Sequence, residues 1–104
     1  MKARARQALK RAGADKSGDA LPTSLYQALT AAIYCAAGRY GEALTWKEAE
    51  SLLLENHHTA EEAAGAAKLL AEIEAIKFGG RALSDDRRKT LLDETRTLVR
   101  KLAP

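Results

Sequence analysis

Residues 20–38 read ALPTSLYQALTAAIYCAAG, a run of 19 residues without a charged side chain. From this run onward, apolar residues recur at the intervals of one buried helix face, at Leu25, Leu29, Ala32, Ile33, Ala36 and Tyr40. The run also holds hydroxyl and amide side chains, and its apolar residues are more often alanine than leucine, so it is too polar for hydrocarbon. We predict a buried helix that begins near residues 22–24, capped by Thr23, and ends near residues 39–41, with Gly41 left-handed.

The composition favours one small helical domain. At 104 residues the chain has room for a single hydrophobic core. Hydrophobic residues make up 46% and charged residues 30%, which is typical of a globular protein. The 22 alanines and 15 leucines stand against 3 isoleucines and 1 valine, so helix formers dominate and a large sheet is disfavoured.

Helix starts are marked by side chains that can cap a helix. Residues 45–48 and 59–62 both have the form Thr-x-x-Glu, which predicts two capping boxes. Ser84, followed by two aspartates, predicts a third start. The helices that follow should cover about residues 46–55, about residues 60–77 and the stretch after Ser84. We therefore predict an all-α fold, a small four-helix bundle with an additional basic N-terminal helical or disordered segment.

The net charge of +3 is concentrated at the N-terminal end. Residues 1–19 contain six basic and two acidic side chains, whereas the other 85 residues contain 11 basic and 12 acidic ones. We divide the chain into a basic leader with its linker, residues 1–19, and a helical bundle domain, residues 20–104. The leader is predicted to be helical or fraying up to Gly13, with an alanine stripe that offers little surface for packing. It suits an anionic surface, either phospholipid or nucleic acid.

No residue is predicted to be catalytic, to bind a cofactor or to hold a metal ion. Cys35 is the single cysteine, which excludes an internal disulfide, and its apolar neighbours indicate a small buried side chain. His57 and His58 are adjacent and lack a third ligand, which disfavours a metal site. We expect a protein that is not an enzyme; the rival interpretation is a small hydrolase or metal protein that uses these two histidines.

The last helix carries basic residues that allow two interpretations. Lys89, Arg96 and Arg100 lie roughly along one face, as a phosphate-binding track would require. Asp93 lies between them with Glu94 nearby, so a solvated face held by salt bridges is favoured. The alternative function that follows from the basic track is a small helical nucleic-acid-binding protein using the leader and the last helix.

Four aromatic residues are candidates for partner binding: Tyr26, Tyr40, Trp46 and Phe78. Packing at the ends of the bundle is the favoured interpretation of these side chains. The alternative is a partner-binding patch, because aromatic anchors are common at the centres of protein interfaces.

Several segments occur in an order that is similar to that of a known protein family. The segments are KARARQALKR at residues 2–11, LYQAL at 25–29, GRYG at 38–41, and IEAIKF at 73–78 before a closing leucine-rich helix. In this order the chain resembles, over nearly its whole length, the cytoplasmic C-terminal domain of the BatD family. The members of that family are membrane proteins of aerotolerance operons, associated with oxygen tolerance.

The resemblance implies a scaffold on the cytoplasmic side of the bacterial inner membrane. The leader would follow a transmembrane helix, and its membrane-proximal basic residues would be Lys2, Arg4, Arg6, Lys10 and Arg11. The implied partners are a MoxR-type AAA+ ATPase or von Willebrand A-domain proteins, and no cofactor or catalytic residue is implied. Met1 lies directly before the leader, which allows two interpretations. The chain is either a fragment of such a membrane protein, which should be soluble, or a stand-alone homologue.

Overall fold

The computed structural model describes residues 2–14, 21–41, 43–80 and 84–103, and within these ranges every regular element is an α-helix. The five helices are α1 (Lys2–Ala14), α2 (Leu21–Ala37), α3 (Trp46–Glu55), α4 (Ala60–Gly79) and α5 (Asp85–Leu102). The predicted all-α bundle is confirmed.

Helix α2 is the centre of the bundle and packs against each of the other four helices. Helix α1 lies against α2 and α5, whereas α3 lies against α2 and α4; α1 contacts neither α3 nor α4 within the described residues. Leu25, Leu29 and Ile33 of α2 are fully buried. The uncharged run therefore reflects a helix surrounded by apolar neighbours, where an unpaired charge would be costly.

Both ends of α2 differ from the prediction. The helix begins at Leu21, so Thr23 lies inside its first turn and is not the cap. It ends at Ala37, where Gly38 adopts the left-handed conformation with φ of 67°. The backbone N–H of Gly38 donates to Cys35 and that of Arg39 to Tyr34, which is a Schellman ending. The predicted ending at Gly41 was wrong, because Gly38 already allows this turn.

Tyr40 is consequently outside the buried stripe in which it was placed. Helix α2 ends three residues before Tyr40, and the Tyr40 side chain is 87% exposed. The first four positions of the predicted stripe are buried, as predicted: Leu25, Leu29, Ala32 and Ile33.

The cap of α3 forms as predicted. The hydroxyl of Thr45 accepts from the backbone N–H of Glu48 at 3.2 Å, and the Glu48 carboxylate accepts from the N–H of Thr45 at 3.1 Å. Ser84 likewise caps α5 by accepting from the N–H of Arg87 at 3.2 Å. These contacts satisfy backbone donors that have no partner inside the helix.

The predicted capping box at α4 is only half formed. Thr59 accepts from the backbone N–H of Glu62 at 3.1 Å. The Glu62 carboxylate does not return to Thr59 but lies 3.1 Å from Nδ1 of His58. Helix α4 then runs two residues further than predicted and ends before Gly80, which is left-handed.

The basic leader packs into the bundle through α1. Ala5, Ala8 and Ala12 are buried in the main core, with Leu9 partly buried beside them. The alanine stripe is therefore a packing face, because small side chains let two helices approach closely. Gly13 does not stop the helix, which continues to Ala14. Residues 15–19 lie outside the described residues, so the position of the predicted linker and domain boundary stays a prediction.

Candidate functional site

The loop between α2 and α3 is held at Leu44 by the hydroxyl of a buried tyrosine. Tyr26, only 7% exposed, donates to the carbonyl of Leu44 at 3.1 Å and accepts from its N–H at 3.0 Å. Both backbone groups of Leu44 are thereby satisfied inside the core. Tyr26 is thus a packing residue, and its candidacy as a partner anchor is removed because its side chain is not accessible.

A second tyrosine, which the sequence analysis did not single out, supports the same loop. The Tyr34 hydroxyl donates to the carbonyl of Ala43 at 2.6 Å. Burial, followed by the nearby Glu48 carboxylate and Tyr26, raises the pKa of the Tyr34 hydroxyl. Its ring lies so close to Gly41 that a Cβ at that position would come within 2.2 Å. Gly41 is therefore explained by this close approach and not by a helix ending.

Phe78 and Trp46 leave much of their rings in solvent. Phe78 is 67% exposed and meets Tyr26 edge to face, with the ring centroids 5.7 Å apart. The ammonium of Lys77 lies 4.5 Å from both ring centroids, within range of a cation–π interaction. Trp46 is 39% exposed, with the Lys47 ammonium 5.5 Å from its ring centroid.

These aromatic residues meet at one end of the bundle. Phe78 touches Tyr26, which holds Leu44, two residues before Trp46. The backbone of Trp46 in turn approaches Glu74, one helical turn before Phe78. The exposed Tyr40 lines a neighbouring groove of about 460 Å³ beside α3. We call the three exposed rings, Tyr40, Trp46 and Phe78, the aromatic surface.

Leu54 extends the apolar character along α3 and was not singled out from the sequence. It is 46% exposed and lies two helical turns after Trp46 on the same face. The sequence did indicate an exposed leucine here, since the three residues Leu52-Leu53-Leu54 span about 200° of a helix and cannot all be buried on one side. Leu52 and Leu53 are the buried members.

Glu74 is the half-buried acidic group of this end. Burial raises the pKa of its carboxyl; the backbone N–H of Trp46 lowers it in part, and the Glu48 carboxylate raises it. The Glu74 carboxyl of α4 therefore lies near the start of α3.

The predicted basic residues all lie on α1. The side chains of this set are exposed: Lys2, Arg4, Arg6, Lys10 and Arg11. Arg11 donates to the side chain of Gln27 on α2 at 3.3 Å. Arg6 and Lys10 instead face α5, where they line a groove together with Arg96 and Arg100. We call this groove the basic groove; its remaining lining is Leu9, Val99 and Ala103.

The favoured interpretation of the last helix, a face held by salt bridges, is wrong for Arg96 and Arg100. Across the described residues neither side chain is in an ion pair. Asp93 and Glu94 face a different groove, which runs between α4 and α5. Glu94 pairs instead with Arg87 at 3.8 Å, and Arg87 also binds Glu72 on α4.

The two histidines occupy the turn between α3 and α4. His57 is exposed and has a positive φ of 69°, whereas His58 is half-buried beside Glu62. Among the side chains that the structure describes, no three of histidine, cysteine, aspartate and glutamate come together to hold a metal ion. Cys35 is half-buried and carries a free thiol.

None of the helices in the described ranges is long and apolar enough to cross a membrane. Comparison with models of protein families, with curated proteins and with solved structures finds no match for this chain.

Proposed function

We propose that the chain is a non-enzymatic interaction module that binds a protein partner through the aromatic surface. The observation that carries the proposal is the exposure of Trp46 and Phe78 at one end of the bundle. Exposed aromatic rings held by a rigid scaffold are the side chains most often responsible for affinity at protein interfaces. Tyr26 and Tyr34 provide that scaffold by fixing the loop beneath them.

The position of the basic residues supports a bridging role. The aromatic surface belongs to α3, α4 and the loop before α3, whereas the basic leader forms α1, which contacts only α2 and α5 among the described helices. Two ligands could therefore bind at the same time without competing for one surface. An anionic membrane surface would attract the leader by about 1 kcal/mol for each basic residue near it.

The resemblance to the BatD aerotolerance family specifies the proposal further. In a protein of that kind the module would lie on the cytoplasmic side of the bacterial inner membrane, next to its transmembrane helix. Its partner would be a MoxR-type AAA+ ATPase or a von Willebrand A-domain protein. The segments at residues 2–11, 25–29, 38–41 and 73–78 support this assignment.

The test is calorimetric titration of the chain with the MoxR-type ATPase and with the von Willebrand A-domain proteins of the same genome. We expect one of them to bind and the double variant Trp46→Ala/Phe78→Ala to bind it at least about tenfold more weakly. The control is Lys68→Ala, an exposed position of α4 away from the aromatic surface, which should leave the affinity unchanged. Unchanged binding by the double variant, or binding of none of these proteins, would overturn the proposal.

A second candidate is nucleic-acid binding through the leader and the last helix. One observation favours it: the structure brings Arg6 and Lys10 of the leader beside Arg96 and Arg100 of α5. Clustered cations are the footprint of phosphate-backbone binding. Titration with duplex DNA at several salt concentrations tests it; tight, salt-dependent binding, with none to anionic vesicles, would favour this candidate.

A further inference from the structure

The basic groove gathers four cations from the two ends of the sequence. Arg6 and Lys10 are one helical turn apart on α1, and Arg96 and Arg100 are one turn apart on α5. The four side chains therefore form two short rows that face each other across a concavity of about 330 Å³. No carboxylate of the described residues lines it.

The positive charges of the basic groove are not paired with acidic side chains among the described residues. Within the described ranges, none of the four side chains is in an ion pair. Like charges held close together destabilise a folded chain, so an anion bound between the rows would relieve their repulsion. Among the residues that the structure describes, the groove is lined by no acidic side chain, whereas the groove between α4 and α5 contains Asp93 and Glu94.

The Arg96 guanidinium lies close to the backbone of α1. A Cβ at Gly13 would lie 2.8 Å from a terminal nitrogen of the Arg96 guanidinium, so this group rests against the helix where a side chain is missing. A guanidinium presents a planar set of donors, which matches the oxygens of a phosphate group.

The shape and floor of the groove narrow the class of ligand. Its volume is in the range of small-molecule sites rather than of the extended surface that a duplex contacts. Leu9, Val99 and Ala103 add apolar lining between the cations. A ligand with one phosphate next to carbon chains would satisfy both parts of this lining.

We propose that the basic groove binds the phosphate group of an anionic phospholipid. The phosphate would lie between Arg6 and Lys10 on one side and Arg96 and Arg100 on the other, with the glycerol carbons against the apolar floor. The choice of a lipid as the source of the phosphate rests on the proposed function, which places α1 at a membrane; the phosphate site itself rests on the groove alone.

The experiment is co-sedimentation of the full chain with phosphatidylglycerol vesicles, with phosphatidylcholine vesicles as the neutral reference. The double variant Arg6→Gln/Arg96→Gln removes one cation from each row. Its matched control, Lys68→Gln/Lys101→Gln, removes the same charge at exposed positions outside both the groove and the basic leader. Circular dichroism verifies that both variants remain helical.

We expect the groove variant to bind phosphatidylglycerol vesicles about tenfold or more weakly, and the matched control to stay within about threefold of the original chain. Equal weakening of the two variants would overturn the groove site while leaving membrane attachment intact. Failure of the original chain to prefer phosphatidylglycerol would overturn both the lipid ligand and the membrane part of the proposed function.

Two further probes identify other sources of phosphate. Inorganic phosphate is tested through the unfolding temperature, because a ligand that binds only the folded state raises it. A rise that needs the groove arginines, without vesicle binding, would overturn the lipid assignment in favour of a soluble phosphate. Tighter binding to duplex DNA than to vesicles, lost in the groove variant, would overturn it in favour of nucleic acid.

Discussion

The hydroxyl of Tyr26 is the side-chain group that joins the middle of α2 to the loop before α3. We expect Tyr26→Phe to lower the free energy of unfolding by about 1–3 kcal/mol, because both backbone groups of Leu44 lose their partner inside the core. The measurement is urea unfolding followed by circular dichroism. Tyr40→Phe, the same change at an exposed ring, is the control and should be neutral. Equal effects of the two variants would contradict the role given to Tyr26.

Thr95 shows the opposite situation, a buried hydroxyl without a partner. Its side chain is fully buried, and its Oγ1 forms no hydrogen bond within the described structure. Thr95→Val removes that hydroxyl at nearly constant shape, so we expect a gain of about 1 kcal/mol in the free energy of unfolding. Thr95→Ala, which also leaves a cavity, should be less stable than Thr95→Val. A loss of stability in the valine variant would show that the hydroxyl has a partner.

Glu74 makes the stability depend on pH in a direction that follows from its raised pKa. The folded state binds this proton more tightly than the unfolded chain, so the protein loses stability as pH rises through the folded pKa. We expect Glu74→Gln to be more stable than the original chain at about pH 7 and to lose this advantage at about pH 3. Denaturant midpoints at both values measure it, with the exposed Glu55→Gln as control. An advantage that persists in acid would contradict the account.

At the scale of the element, the starts of α3, α4 and α5 could be predicted, whereas both ends of α2 could not. The hydroxyls of Thr45, Thr59 and Ser84 each accept from the backbone N–H three residues later, a spacing that the sequence shows directly. The end of α2 has two nearby glycines; Gly38 takes the left-handed conformation, and Gly41 lies against the ring of Tyr34. The sequence shows both glycines but no local pattern that assigns these two roles.

The cap of α3 should contribute more to stability than a threonine inside a helix. We expect Thr45→Ala to lower the free energy of unfolding by about 1 kcal/mol, because it removes the cap of a short helix that carries Trp46. Thr90→Ala is the matched control: its exposed hydroxyl bonds only to Asp86 within α5, and alanine has the higher helix propensity. Thermal unfolding compares the two, and an equal loss of stability in both would contradict the capping role.

At the scale of the whole molecule, the charge is distributed unevenly between α1 and α3. Helix α1 has five basic residues and no acidic one, whereas α3 has three glutamates and one lysine. The sequence shows the basic leader but not its position, because an alanine stripe contributes little apolar area and gives a weak signal. The pairing of α1 with α5 joins residues some ninety positions apart, and no spacing rule predicts it. The aromatic candidates could be named from the sequence, but only the structure separates buried Tyr26 from exposed Phe78.

The central claim is that the basic leader is the fifth helix of the bundle, since the basic groove exists only if α1 is docked on α2 and α5. Amide hydrogen exchange, resolved by residue, tests this claim most directly. The account predicts that the amides of residues 6–12 exchange with protection close to that of α2 and become exposed together with it in one transition. Exchange of these amides at the rate of an unstructured peptide, while α2 to α5 stay protected, would contradict it.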